Sequence, residues 1–115
     1  MKISDLAKAL KATYAVAPGD PSEEITCGYA CDLLSWVLAH GQKGMAWTTV
    51  QTHVNVVAIA VLMEMGCVIL AEGNKLEDAS LSKAVEEKMP VLETAMTAYE
   101  VCGILYGAGI PAPRE

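Results

Sequence analysis

Residues 67–71 read Cys67-Val68-Ile69-Leu70-Ala71, a continuous apolar run of strand length. A strand that is apolar on both faces is typical of a parallel sheet covered by helices on each side. Gly66 ends the apolar segment that precedes this run, and Glu72-Gly73-Asn74 ends the run itself. The stretch therefore predicts a strand at the centre of an α/β domain.

Helical and strand-like patterns alternate on both sides of this run. Ser4 is expected to cap the first helix and Thr52 the third. Thr97 and Glu100 have the spacing of a capping box, which predicts the start of the last helix. The predicted order is helix 4–12, strand 13–16, strand 24–30, helix 32–41, strand 45–50, helix 53–65, strand 67–71, helix 77–89, strand 91–93 and helix 97–107.

The spacing of these elements predicts the fold class. Core strands separated by helices of about 10–13 residues cannot be joined by hairpins, so they should pair in parallel. We expect a three-layer α/β domain: a mainly parallel sheet of about four to five strands with helices on both faces. The 115 residues contain no linker or repeat, so residues 1–115 should form a single domain.

Charge and hydropathy exclude two classes of partner. The net charge of −6 argues against nucleic acid and anionic membranes, which are bound largely through Lys and Arg. The longest apolar stretch, residues 54–63, is shorter than the ~20 residues that span a bilayer. Residues 1–8 lack the apolar core of a secretory signal, and the four cysteines form no disulfide framework. A cytoplasmic protein is predicted.

Polar residues follow each predicted core strand. In open parallel sheets, ligands bind outside the carboxyl ends of the strands, where helix N-termini present free N–H groups. A ligand site is therefore expected at that edge. The candidate residues are Tyr29, Asp32 and Ser35 after the first core strand, Gln51, Thr52, His53 and Asn55 after the second, Glu72, Gly73 and Asn74 after the third, and Thr94 after the fourth.

The segment Gln51-Thr52-His53-x-Asn55 has two interpretations. Thr52 and Asn55 could simply satisfy the first turn of a helix. Alternatively, the helix N-terminus could hold an anion or a nucleotide phosphate, with His53 as a titratable donor and Gln51 contacting a polar group. Neither Gly-x-Gly-x-x-Gly nor a Walker pattern occurs in the chain, so nucleotide binding through those loops is not expected.

The sequence predicts no catalytic residue, no metal site and no cofactor. Cys27 and Cys31 lie four apart across a strand end, and the spacing favours small buried side chains over zinc or iron–sulfur ligands. His40 falls in a last helical turn, where it would interact with the helix dipole. Ser35 has no Gly-x-Ser-x-Gly context, which disfavours a Ser/His/Asp hydrolase.

The helix at residues 53–65 is apolar on most sides and needs covering. Together with Met45, Trp36 and Trp47 it belongs either to the core or to a face on which two copies of the chain associate. The second interpretation predicts a homodimer.

Three runs of the chain resemble one known family. Residues 25–35, residues 47–58 and residues 92–99 are similar to stand-alone members of the DRTGG domain family, a likeness that spans nearly the whole chain. The Gln-Thr-His-x-Asn segment, at Gln51, Thr52, His53 and Asn55, is the more specific match. In place of the signature stretch that names the family, this chain has Glu24-Ile25-Thr26-Cys27-Gly28, without the Arg and with a single Gly.

The resemblance implies a cytoplasmic α/β domain related to the N-terminal domain of HPr kinase/phosphorylase. Such domains also occur between CBS domains in some inorganic pyrophosphatases and next to phosphotransacetylase. There they are regarded as regulatory, non-catalytic modules, often at a dimer contact. Small members also occur beside iron-only hydrogenase genes, which implies an accessory role.

Two functional hypotheses follow. The favoured one is a non-catalytic regulatory or accessory module, a homodimer that binds a small anionic ligand, such as a nucleotide, or a partner enzyme at the carboxyl ends of the strands. The alternative is a small enzyme or phosphoryl-relay protein that uses His53.

Overall fold

A computed structural model describes residues 1–114, and in this part of the chain five helices surround one five-stranded sheet. The elements are α1 (Ile3–Ala9), β1 (Thr13–Val16), β2 (Cys27–Ala30), α2 (Leu34–His40), β3 (Met45–Thr49), α3 (Val54–Leu62), β4 (Cys67–Leu70), α4 (Asp78–Glu87), β5 (Val91–Glu93) and α5 (Ala98–Gly107).

The sheet has the order β1-β5-β4-β3-β2. Strands β2 to β5 pair in parallel, and β1 pairs with β5 in the antiparallel sense. The apolar run Cys67–Leu70 forms the middle strand and is buried at all four positions, as its composition predicts. The predicted three-layer, mainly parallel α/β fold is confirmed.

The helices divide into two layers. The order β2, β3, β4, β5 advances in one direction across the sheet, so α2, α3 and α4 all cross over the same face. Fully buried Trp47 lies at the centre of that layer, and its indole Nε1 donates to the Cys31 carbonyl at 2.9 Å. Helices α1 and α5 cover the opposite face around Ile69 and Leu92.

This strand order has a consequence for ligand binding. A crevice opens at the carboxyl ends of a parallel sheet where the order reverses and neighbouring crossovers leave to opposite faces. Between β2 and β5 the order does not reverse. The carboxyl edge of this sheet is therefore a surface without a topological crevice.

Two of the predicted helix caps are wrong. Lys2, not Ser4, is the N-cap of α1, and its side chain makes no capping bond in the described structure. The N–H groups of Ile3 and Ser4 instead donate to the carbonyls of Glu23 and Pro21, both at 3.1 Å. The loop before β2 thus satisfies the helix start that the sequence assigned to a side chain.

At α3 the N-cap is His53 rather than Thr52, one residue later than predicted. The capping box at Thr97 and Glu100 is confirmed at α5. The helices of residues 1–114 lack the combination of length and apolar character that a membrane crossing requires.

The core interpretation of the apolar set is confirmed for most of its members. Met45 and Trp47 are fully buried, as are Val56, Val57 and Ala60 on the face of α3 that lies against the sheet. Trp36 is half-exposed on α2, and Leu62 is 69% exposed at the end of α3.

Candidate functional site

Asp32 joins the ends of two strands at the carboxyl edge of the sheet. Its Oδ1 accepts hydrogen bonds from Thr49 Oγ1 at 2.6 Å and from the Val50 N–H at 2.9 Å. Gln51 Nε2 donates to the Asp32 backbone carbonyl at 3.3 Å. The structure thus brings Asp32 and Gln51 together, as expected from their positions after neighbouring strands.

His53 and Thr52 stabilise different elements. The His53 Nδ1 accepts the Asn55 N–H at 3.2 Å and so caps α3, leaving Nε2 on the outside of the cap. Thr52 faces α4 instead: its Oγ1 donates to Glu77 Oε2 at 3.2 Å, and its carbonyl accepts Ser80 Oγ at 2.7 Å. Thr52 is not the cap because its hydroxyl is engaged by a helix 25 residues away.

Glu72, Gly73 and Thr94 form a third group, at the ends of β4 and β5. The Gly73 N–H donates to the Thr94 carbonyl at 2.9 Å, and Thr94 Oγ1 donates to the Leu10 carbonyl at 2.7 Å. The Glu72 carboxylate accepts the Ala98 N–H at 3.3 Å, at the start of α5. Thr94 is 4% exposed, so it supports this turn from beneath and offers no surface to a ligand.

Two predicted site residues lie apart from these groups. Ser35 is exposed in the first turn of α2. Tyr29 lies half-buried on β2, the outer strand of the sheet, and contributes to cavities beside that strand.

The carboxyl edge is acidic. Asp32, Glu72, Glu77 and Glu93 carry carboxylates there, and Lys75 Nζ lies 3.5 Å from Glu93 Oε1. Charges of one sign on a common surface repel a further charge of that sign. The electrostatics of this edge therefore disfavour a small anion.

Exposed apolar side chains surround the Asp32 corner. Leu33 follows Asp32 and is 63% exposed, Trp36 lies one turn further and is 51% exposed, and Val50 is 36% exposed. Asp32 holds the Val50 backbone directly, and the Trp36 ring stacks on His40 one turn further along α2, with the ring centroids 4.4 Å apart. We call Leu33, Trp36 and Val50 the corner patch.

The cysteines do not converge on a metal site. Cys27 is buried, and burial raises the pKa of its thiol, whereas half-buried Cys31 has its Sγ 3.7 Å from the Leu33 carbonyl. In residues 1–114 no three His, Cys, Asp or Glu side chains lie close enough to hold a metal ion.

The sequence did not point to the concave surface beside β2. After α5 the chain turns back as a tail, residues 110–114, along the outer edge of β2, where the Pro111 carbonyl accepts the Gly28 N–H at 2.9 Å. Gln42 holds the end of the tail by pairing with the Arg114 backbone, accepting its N–H at 3.1 Å and donating to its carbonyl. The repeated proline in Ile110-Pro111-Ala112-Pro113 is the signal that could have indicated an edge cover.

Two cavities lie against this tail. The first, of about 250 Å³, lies between β2, α5 and the tail. The second, of about 420 Å³, lies between the end of α2 and the tail. Both are bordered by Tyr29 and Pro113, and we call the pair the side groove.

Comparison with known proteins adds one finding. No family model and no curated protein matches the sequence. The fold is similar to a crystal structure of the CBS and DRTGG domains of the regulatory region of Clostridium perfringens pyrophosphatase, complexed with the activator diadenosine tetraphosphate. The TM-score is 0.72 at 10% sequence identity, and the match covers 90% of this chain and 45% of that one.

This chain therefore spans less than half of the structure it matches, and at this identity the likeness concerns the fold. The match agrees with the resemblance in residues 25–35, 47–58 and 92–99. The chain has a DRTGG-like α/β fold.

Proposed function

We propose that this chain is a non-catalytic regulatory or accessory module that docks another protein chain on the carboxyl edge of its sheet. The corner patch carries the proposal. Leu33, Trp36 and Val50 are exposed at a corner that the Asp32 carboxylate holds in place. An exposed Trp within a polar rim is typical of the centre of a protein–protein contact.

The shape and charge of the edge support a protein rather than a small anion as its occupant. The strand order opens no crevice there, and carboxylates of the loops after β2 and after β4 line it. The predicted site residues Gln51, His53 and Asn55 are exposed beside the patch and would form part of the rim. A regulatory role is supported by the structural neighbour, which belongs to the regulatory region of a pyrophosphatase.

The partner we propose is a second copy of this chain, and a partner enzyme is the other occupant that the edge would suit. A catalytic role for His53 gains less support. Its Nδ1 is occupied by the α3 cap, and within residues 1–114 no carboxylate or hydroxyl is bonded to the ring.

Sedimentation equilibrium of wild type and Trp36→Ser tests the proposal. We expect the wild type to dimerise and the variant to associate at least about tenfold more weakly, because truncating a central aromatic removes upward of ~1.4 kcal/mol. Tyr14→Ser is the matched control, since Tyr14 is 41% exposed on the opposite edge strand. Both replaced side chains are at the surface, so both variants should keep the wild-type circular dichroism spectrum.

Two results would count against the proposal. A dimer that Trp36→Ser leaves intact would exclude the corner patch as the contact. A monomeric wild type would exclude the second copy, and the remaining occupant would then be tested by comparing partners captured by wild type and by Trp36→Ser.

A further inference from the structure

We propose that the side groove binds a nucleotide, that is, a flat heteroaromatic ring that carries an anionic group. This inference goes beyond the docking function, because the groove lies along the outer edge of β2 and the tail rather than at the carboxyl edge of the sheet.

The outer edge of β2 presents unpaired backbone groups. The Cys31 N–H donates to the Thr48 carbonyl of β3. The backbone N–H and C=O groups of alternate residues in a strand point to opposite neighbours, so those of Gly28 and Ala30 point away from β3. The tail takes the Gly28 N–H through the Pro111 carbonyl. The Ala30 N–H and C=O have no partner within residues 1–114, and they border the first cavity.

A donor and an acceptor on one residue match the edge of a heteroaromatic ring. A nucleobase offers neighbouring donor and acceptor atoms of this kind, whereas a hydrocarbon would leave both Ala30 groups unsatisfied at a cost. Strand addition by a peptide needs a row of free edge groups, and the tail already covers Gly28. The unpaired part of the edge is the single residue Ala30, which is enough for one ring and too short for a peptide strand.

The first cavity supplies the walls for such a ring. Tyr106 of α5 and Pro113 of the tail lie on its border with Cys102 and Leu105, and the lining is predominantly apolar. Its volume of about 250 Å³ is slightly below the roughly 300–1,000 Å³ of drug-sized sites, which suits one ring system. Tyr106 is 82% exposed and can turn onto a bound ring, since base–aromatic stacking requires only an accessible face.

One hydroxyl of β3, that of Thr48, is buried on the face of the sheet that α5 covers. Thr48 is the register partner of Ala30 and projects to the same face of the sheet as Ala46. Its Oγ1 is buried and finds no hydrogen-bond partner in the described part of the chain. Such orphaned groups are rare in folded proteins; Thr48 does not line the first cavity, so an internal water rather than a ligand atom is the group that would satisfy it.

The second cavity supplies the charge. His40, Gln42 and Arg114 contribute to its lining, and among residues 1–114 no carboxylate does. Arg114 is the one arginine in a chain of net charge −6. A guanidinium matches the geometry of a phosphate, and Gln42 fixes the Arg114 backbone at this position. The first cavity lies on the α5 face of the sheet edge and the second on the α2 face, and Tyr29 and Pro113 border both, so a ring bound in the first would bring its phosphate to the second by crossing the tail.

Titration of the full chain with adenosine monophosphate, followed by ¹H–¹⁵N NMR, tests the site. We expect saturable shifts of the Ala30, Tyr106 and Arg114 amides. Adenosine, which lacks the phosphate, should shift the same Ala30 and Tyr106 signals but bind about tenfold more weakly. Inorganic phosphate alone should move only the signals around Gln42 and Arg114.

Paired variants separate the site from general surface effects. Tyr106→Ala should weaken monophosphate binding about tenfold, whereas Tyr99→Ala, which removes an equally exposed tyrosine of the same helix, should leave it unchanged. Arg114→Gln should abolish the difference in affinity between the monophosphate and adenosine. Lys8→Gln, which replaces an exposed lysine of α1, should preserve that difference.

The proposal is overturned if no saturable shift occurs, if the shifts fall at His53 and Asn55 instead, or if phosphate alone reproduces the monophosphate spectrum. It is overturned equally if Tyr99→Ala weakens binding as much as Tyr106→Ala. None of these results bears on docking at the corner patch, which is measured without nucleotide.

Discussion

Cys67 has no exposed surface at the start of β4, and burial raises the pKa of its thiol to about 12 from an ordinary value of 9.0. Only the thiolate is a good nucleophile, so Cys67 is inert in the folded chain. Cys27 is likewise buried, whereas Cys31 and Cys102 are half-buried, and Cys102 borders the first cavity of the side groove.

Thiol labelling with an aromatic disulfide should therefore separate the cysteines into two classes. We expect Cys31 and Cys102 to react in the native protein, and Cys27 and Cys67 to react only after denaturation. A Cys31→Ser, Cys102→Ser double variant should show no rapid labelling, and rapid reaction of that variant would contradict the assignment. Stability should also fall as pH rises from 9 towards 12, because the unfolded chain ionises the Cys67 thiol while the folded chain keeps it protonated.

Helix α5 begins at a reciprocal pair of hydrogen bonds. Thr97 Oγ1 accepts the Glu100 N–H at 3.1 Å, and Glu100 Oε1 accepts the Thr97 N–H at 3.0 Å. The Thr97 N–H and the Thr97 hydroxyl, which donates to Glu100 Oε1 at 3.1 Å, together hold the pKa of the Glu100 carboxyl below its ordinary value. The charged form of Glu100 is therefore the one that stabilises the helix start.

Thr97→Ala should lower the free energy of unfolding by about 1 kcal/mol, the usual effect of removing an N-cap hydroxyl. Urea denaturation measures the change, and Ser82→Ala on the exposed side of α4 is a control expected to stay within about 0.5 kcal/mol of wild type. The contribution of Glu100 is present above the ordinary glutamate pKa and is lost as pH falls through the lowered one. A Thr97→Ala variant as stable as wild type at neutral pH would show that the cap does not stabilise the fold.

The bounds of elements that depend on neighbouring residues in the sequence were predicted closely. Helix starts that depend on groups far along the chain were not. β1 and β5 begin and end where the sequence predicts, and α5 starts at its capping box. The N-caps of α1 and α3 were missed because the Pro21 carbonyl and the Glu77 carboxylate, far along the chain, engage the groups concerned.

The candidate site shows the same division. Asp32 and Gln51 meet because both follow neighbouring parallel strands, which the sequence indicates. The side groove joins β2, α5, the end of α2 and the tail, and their meeting depends on strand order. No local pattern carries that order.

Over the whole molecule, both edges of the sheet are protected against pairing with another chain. The pairing of β1 with β5 contains a register shift between Tyr14 and Val16, an irregularity that disfavours further pairing on that side. The tail contributes only a hydrogen-bond acceptor to the edge of β2. The Pro111 carbonyl accepts the Gly28 N–H, and neither Pro111 nor Pro113 has an N–H that could donate back to the strand. The tail therefore blocks the edge without becoming a sixth strand.

Truncation after Ile110 should expose the outer edge of β2 and leave the rest of the fold intact. Ile110 is 6% exposed and remains in the α1–α5 layer, so the circular dichroism spectrum should persist, while the outward N–H of Gly28 loses its acceptor beside Ala30. We expect association that rises with concentration in sedimentation velocity, because two uncovered edges can pair with each other. Trp36→Ser in the truncated chain should leave this association in place, since it uses β2 and not the corner patch. A truncated chain that sediments like wild type would show that residues 111–114 do not guard the edge and that their contacts with Gly28 and Gln42 serve the side groove alone.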